Sequence, residues 1–405
     1  MDSLITAAAR ALAAGDLLGV LNRVALRDDA HALALRGIAM AQLGDFGRAK
    51  TLLRSAAHAF GQRQAVARAR CIVADAEVAL ASRDLAWDAK ALEQARVTLE
   101  KHGDRSNAAH ARYLEARHLL LIGQLRKAEG SMAKLGAADL APALRVVQQL
   151  VVAGIAIRRV QARAAREALM RAERAARSAG IPALWGEVDA ALRLLDQPAA
   201  RRISAGADEP LCLDEVETLF ASRALVIDAC RLTVRQGKTV VPLASRRVPF
   251  TLVRALAEVW PSPVPRDVLV SRAFRIRRAD DTLRARLRVE IGRLRRELTA
   301  VAGIDATPDG FVLRPKSTRQ VVVLSLPVED EYASVLALLS DGEAWSSSAL
   351  GLALNQSQRS VQRALDELAA AGKVQPYGLG RSRRWLASLP GFTTALLLPV
   401  AMGHG

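Results

Sequence analysis

The chain has 405 residues, 51% of them hydrophobic but only 4% aromatic, and a formal net charge of +17. That length suggests two to four domains at roughly 100 to 200 residues each, and the charge points to an anionic partner, nucleic acid or membrane surface, without choosing between them. Three scattered cysteines, Cys71, Cys212 and Cys230, with no CxxC, argue against a disulfide framework or a Cys-rich zinc site and fit a reducing cytosol.

The opening MDSLITAAARALAAGDLLG carries Asp2 where a signal peptide would be basic, and reads as an amphipathic helix. No stretch reaches the roughly 18 apolar residues of a membrane span, so no membrane association is expected. Up to about residue 200 the chain is rich in Ala, Leu and Arg, which predicts helices throughout. In LRGIAMAQLGDFGRAKTLLRSAA, small residues at Gly37 and Ala49 would let two helices of a hairpin touch. Gly44 would permit the turn, and Phe46 would fill the gap. The stretch EARHLLLIGQLRKAEGSMAKL repeats the register with Ala116, Gly123, Leu125, Ala128 and Met132, two units of about 40 residues further on, and a degenerate copy ends near Ala168. These spacings resemble the tetratricopeptide repeat. The resemblance implies an α-solenoid-like array over 1–200 that binds a protein or small effector, or self-associates into a homodimer. The unit near 70–100 is blurred.

Composition shifts at DQPAARRISAGADEP, and 201–223 reads as a linker. ALVIDACRLTVRQGKTVVPL then predicts two β-rich runs around an Arg-Gln-Gly-Lys turn. Three helical segments follow: SRRVPFTLVRALAEVW, PRDVLVSRAFR and DDTLRARLRVEIGRLRREL. GIDATPDGFVLRP predicts a closing hairpin.

Wound at 100° per residue, the third helix places Leu283, Leu287, Ile291, Leu294 and Leu298 on one inward stripe. The opposite side is centred on Ala285, Val289, Gly292 and Arg296, with Arg286 and Arg293 on one rim and Arg288 and Arg295 on the other, and Arg284 is a further DNA-binding candidate on this helix. A merely solvated face does not need small residues at its centre, whereas a face that approaches a groove closely does. Flanking arginines would then reach guanine edges and phosphates.

Residues 224–317 resemble the winged-helix effector domain of OmpR/PhoB-type response regulators, carried by RLRVEIGRLRREL and the wing DGFVL. The resemblance implies major-groove reading by the exposed face, with Arg293 and Arg295 at the family's basic positions and Val289 towards the bases. The sequence departs from the family at Arg288, at Glu290, and at Thr307 and Pro308 where a wing arginine is usual; Arg314 and Lys316 are the candidate replacements. Arg275, Arg277 and Arg278, in the loop before the helix, would contact either RNA polymerase, as the family allows, or another phosphate.

A second block, 326–388, reads as three helices and a hairpin and resembles a MarR/DeoR-like winged helix. Ser357 is its expected N-cap. Gln358, Arg359, Ser360, Gln362 and Arg363 are the candidate groove-facing set, and Arg381, Arg383 and Arg384 form a basic hairpin tip. Residues 389–405 would be a tail. No Walker A, HExxH, GxSxG, kinase or EF-hand pattern occurs, so neither catalysis, cofactor nor metal is expected. The expectation is a mainly α chain, a tetratricopeptide-like solenoid followed by two winged-helix α+β domains. Its expected activity is that of a cytoplasmic, nucleoid-associated regulator of transcription on double-stranded DNA. The alternative is a scaffold whose winged helices dock proteins.

Overall fold

The computed structural model describes residues 2–85, 87–135, 141–204, 207–243, 246–274, 276, 280–318, 320–327, 332–339, 344–354, 356–378, 380 and 383–387. Among these residues the chain is mostly helical, with eighteen helices, one six-stranded sheet and two two-stranded sheets. No helix among them is long and apolar enough to cross a membrane. The chain divides into two compact units, one from 1–156, 164–192 and 332–405 and the other from 157–163 and 193–331.

The first unit begins as successive helix pairs: α1 (Ser3–Ala13) with α2 (Leu17–Val24), α3 (Ala30–Gln42) with α4 (Phe46–Phe60), α5 (Ala65–Ala81) with α6 (Ala89–Lys101), and α7 (Arg105–Leu121) with α8 (Leu125–Ala133). Helices α9 (Pro142–Arg158), α10 (Ala162–Ala179) and α11 (Pro182–Leu195) follow. One turn chemistry recurs. Gly44 takes φ +83, which lets the Asp45 amide reach back to the Met40 carbonyl at 3.0 Å. The Asp45 carboxylate then accepts from the Arg48 amide at 3.1 Å and caps α4. Asp16 and Asp104 reach back in the same way, each at 2.9 Å, and cap the next helix. At the turn before α6 the positive-φ position is Arg83 rather than glycine, and the Asp84 amide makes the same bond to Ala79 at 2.8 Å. That substitution hides the α5–α6 pair from a glycine-based repeat search.

The close packing expected at Gly37 is present. A Cβ there would lie 2.8 Å from Leu53 Cγ, while Ala49 and Leu53 are fully buried on α4.

The second unit starts with β1 (Ala200–Ser204), β2 (Ala207–Leu211) and α12 (Leu213–Ala221). The segment 201–223 is therefore folded rather than a linker. Its linker-like composition has a physical cause: β2 is an edge strand, and Arg202 pairs with the directly opposed Glu209 while Arg201 pairs with Asp208.

Next come β3 (Leu225–Asp228), β4 (Thr233–Gln236) and β5 (Thr239–Pro242), three strands rather than two. The extra turn forms because the buried Asp228 carboxylate accepts from the Cys230 and Arg231 amides at 2.9 and 3.1 Å. Helices α13 (Arg247–Glu258), α14 (Arg266–Phe274) and α15 (Asp281–Leu298) lead to the hairpin β6 (Ala302–Thr307) and β7 (Gly310–Pro315). Then β8 (Val321–Ser325), buried along its length, inserts between β1 and β3, antiparallel to the first and parallel to the second. Residues 321–325, between the two blocks read from the sequence, thus supply an inner strand of the sheet. Its unbroken Val-Val-Val-Leu run is the composition of a strand covered on both faces.

The chain then returns to the first unit with α16 (Ala333–Leu339), α17 (Ser347–Leu354), α18 (Gln358–Ala370) and the hairpin β9 (Val374–Tyr377) and β10 (Arg384–Ala387). Trp345 and Trp385 exchange backbone hydrogen bonds of 2.9 and 2.8 Å, and both indoles are buried. Among the described residues this block shares its core with the helix pairs. Val335, Leu339, Trp345, Val361, Leu365 and Trp385 belong to the hydrophobic cluster that also contains Leu80, Leu85, Leu99 and Leu114. The buried Arg83 guanidinium lies 5.7 Å from the Trp345 ring centroid, a cation–π contact made by the residue at the irregular turn.

Candidate nucleic-acid interface

Helix α15 is fixed at its start and along one side. The Asp280 carboxylate accepts from the Leu283 amide at 2.7 Å, and Asp281 adds a first-turn carboxylate beside the positive end of the helix. Leu287, Ile291, Leu294 and Leu298 are each at most 1% exposed, and Leu283 is half-buried. Burying each such side chain is worth about 1.5–3 kcal/mol, so the inward stripe sets the rotation of the helix. They pack with Phe250, Val253 and Leu256 of α13, Leu269 of α14 and Ile304 of β6 in one cluster.

The opposite face is open. Val289 is 53% exposed, Ala285 is exposed, and a Cβ built on Gly292 meets nothing within 4 Å. Around this strip all six candidate arginines are exposed. Four are engaged. Arg284 pairs with Asp267 at 3.2 Å and Asp281 at 3.3 Å, and the hydrogen bond it donates to the Asp267 carboxylate raises its pKa. The Arg286 guanidinium lies 4.8 Å from the Phe274 ring centroid. Arg293 pairs with Glu290 at 2.9 Å, and Arg295 Nε donates to the Ile304 carbonyl at 2.7 Å. The guanidinium groups of Arg288 and Arg296 have no hydrogen-bond or ion-pair partner among the described residues. Exposed pairs of this kind contribute little net free energy, because solvent screens them. Arg284 and Arg293 can therefore exchange a carboxylate for a phosphate oxygen at small cost. Arg295 is held against β6, so its backbone contact aims the guanidinium.

The β6–β7 hairpin is tied to the helices by a residue that the sequence did not single out. Arg266, at the start of α14, donates to the Pro308 and Thr307 carbonyls at 2.9 Å each and lies 5.4 Å from the Phe311 ring centroid. Val264 and Phe311 exchange backbone bonds of 2.8 and 3.1 Å, which adds a third short strand segment to the hairpin. Gly310 makes this possible. It takes φ +151, and a Cβ there would lie 1.9 Å from the Val264 carbonyl oxygen. Arg314 pairs with Asp305 across the hairpin at 3.0 Å, and Lys316 is exposed. The only sequence signal for Arg266 was its place in Pro-Arg-Asp at a helix start. Arg275, Arg277 and Arg278 lie outside the described residues.

The second candidate surface is built differently. Ser357 caps α18, accepting from the Ser360 amide at 3.1 Å, and Gln358 Nε2 donates to Ser347 Oγ at 3.1 Å. Gln362 Nε2 donates to the Asp366 carboxylate at 3.0 Å. Arg359 and Arg363 are exposed, but Gln358, Arg359, Gln362 and Arg363 line one shallow concavity together with Asp366 and Glu367. The Arg383 guanidinium lies 4.4 Å from the Trp385 ring centroid, and Arg384 is half-buried. Arg381 lies outside the described residues. The α15 and α18 sets belong to different compact units. Among the described residues no three His, Cys, Asp or Glu side chains are grouped to hold a metal ion.

The chain matches no protein-family model, no curated protein and no solved structure.

Proposed function

We propose that this chain is a sequence-specific regulator of transcription that binds double-stranded DNA through α15 and its hairpin. The α15 surface carries the proposal. An exposed strip of Val289 and an unobstructed Gly292, on a helix clamped by four buried side chains, is bordered by two arginines, Arg288 and Arg296, whose guanidiniums have no partner among the described residues. Small residues permit close approach to base edges, and arginines supply bidentate donors for guanine or charge for phosphates.

The order of strands, three helices and hairpin, with Val264 joined to Phe311, supports the winged-helix resemblance to OmpR/PhoB-type effector domains. In this reading β6–β7 is the wing, and Arg314 and Lys316 supply its charge. Arg266 holds the wing to α14. The helix pairs, with their recurring Gly-Asp turns, support the reading of a tetratricopeptide-like solenoid that serves as sensor or partner platform.

For the C-terminal block a second reading is favoured by a specific observation. Asp366 and Glu367 share the α18 surface with its arginines, and these carboxylates would repel phosphate. We assign α18 to docking a protein rather than to the DNA contact.

Selection of duplexes from a random pool by the full chain tests the function. A single enriched motif is expected, bound at least about a thousandfold tighter than scrambled sequence. Its affinity should fall with salt at a slope of about −0.9 per phosphate neutralised. Equal affinity for all sequences would reject the assignment.

A further inference from the structure

Among the helix pairs, the loop before α6, α6 itself and α7 enclose a partly open cavity of about 70 Å³. At roughly 30 Å³ per water, it has room for two waters or a head group of a few heavy atoms. Its wall is unlike the rest of a chain with net charge +17. Trp87, Leu92 and Leu119 supply apolar surface, and Glu93, Glu115 and His118 supply polar groups. Arg96 also lines it, but its guanidinium is bound by both Glu93 and Glu100.

Of the polar groups left over, the Glu115 carboxylate and His118 Nδ1 can only accept, whereas the Trp87 Nε1–H can only donate. Glu115 is half-buried; its Oε2 accepts from Ser131 Oγ at 2.8 Å, and it has no cationic partner among the described residues. His118 Nε2 lies 3.0 Å from the Leu85 carbonyl. A carbonyl only accepts, so Nε2 carries the proton and Nδ1 presents a lone pair. Burial lowers the His118 pKa, which keeps the ring neutral near pH 7. The Trp87 and His118 rings meet at a centroid distance of 5.0 Å, which holds the indole at the cavity wall. Its Nε1–H has no hydrogen-bond partner among the described residues and, as a donor, is not the group that would meet a cation.

We infer that this cavity is a binding site for the ammonium head of a small primary amine. A carboxylate without a counter-ion among the described residues, an imidazole nitrogen lone pair and an aromatic ring in one lining are three features that can stabilise an –NH3+ group together. A carboxylate ligand would meet Glu115, while the Arg96 guanidinium in the same wall is already held by two carboxylates. A bare metal ion is disfavoured, because no three ligating side chains are grouped there among the described residues. The cavity admits the head, and its open side lets an alkyl stem pass to solvent. The inference does not rest on the DNA assignment, since every residue involved lies on the helix pairs and no DNA enters the test.

The test is isothermal titration of the full chain with n-butylammonium, n-butanol and n-butyrate. Saturable one-to-one binding is expected for n-butylammonium alone. Glu115→Gln keeps the size of the side chain and its bond to Ser131. It should weaken n-butylammonium binding at least about tenfold, the effect of losing a charge-assisted hydrogen bond. Trp87→Leu should weaken it as well, with the far-ultraviolet dichroism of both variants unchanged. Absence of saturable binding by n-butylammonium, equal binding of all three probes, or undiminished affinity in folded Glu115→Gln would each overturn the assignment.

Discussion

Helices α15 and α18 look alike in sequence. Each begins at a side-chain cap, buries a leucine-rich stripe, carries arginines on its outer face and precedes a two-stranded hairpin. The difference lies in what accompanies the arginines. On α15 the centre of the outer face is Val289 and Gly292, and the carboxylates sit at the rim, where they pair with Arg284 and Arg293. On α18 two carboxylates share the concavity with the arginines. Arginine content alone therefore does not identify a nucleic-acid surface. The size of the residues between the arginines and the placement of the acids separate the two cases.

The largest expected effect distinguishes the two blocks by stability. Trp345 is fully buried against the helix pairs, so Trp345→Ala should destabilise the first unit by about 3–5 kcal/mol. Urea unfolding followed by circular dichroism measures this. A loss under about 1 kcal/mol would mean that the C-terminal block does not share the core of the pairs.

A sharper probe is Gly292→Leu, for which stability and binding should move in opposite directions. The site is helical and open, so losing glycine should stabilise the fold by about 0.5–1 kcal/mol. The added side chain stands where base edges would approach, and DNA affinity should drop about tenfold or more, a cost on the scale of one base contact. If affinity is retained, the strip does not face the groove.

Arg266→Ala should be milder. It removes two hydrogen bonds to the β6–β7 turn, one of them exposed, for an expected loss of about 1–2 kcal/mol in thermal or denaturant stability.

The smallest effect is a pH dependence from His118. Its folded pKa lies below the unfolded value, so more protons bind the unfolded chain between the two. Its contribution to stability is therefore full above about pH 6.5 and is lost as pH falls through the folded pKa. Replacing His118 with Gln should flatten the stability profile in that acidic window and leave it unchanged near pH 8; an unaltered slope would place the titration elsewhere.

Much of this was legible because local chemistry dictated it. The inward stripe of α15, its Asp280 cap and the Asp-Gly-Phe hairpin follow from periodicity and turn preference, and the structure has them in place. The α5–α6 pair was illegible to a search for glycine turns, because Arg83 occupies the left-handed position and makes its contact with Trp345, distant in sequence. The β1–β2 hairpin read as a linker because its stability comes from cross-strand ion pairs and from pairing with β8, more than a hundred residues later in the chain. Within the candidate interface, the exposure of Arg286, Arg288, Arg293, Arg295 and Arg296 followed from helical phase, while that of Arg284, beside the inward stripe, did not. Which of them were already engaged did not, since Asp267, Phe274 and Ile304 come from other elements.

The central claim is that the outer face of α15, and not that of α18, contacts DNA. Fluorescence anisotropy with the duplex selected by the full chain tests it most directly, comparing Arg288→Ala/Arg296→Ala with Arg359→Ala/Arg363→Ala. The first pair should lower affinity by about thirtyfold or more and make the salt slope shallower by about 1–2. The second should leave both within about twofold, as expected for surface residues away from the contact. Equal losses in the two pairs, or a loss only in the second, would contradict the account.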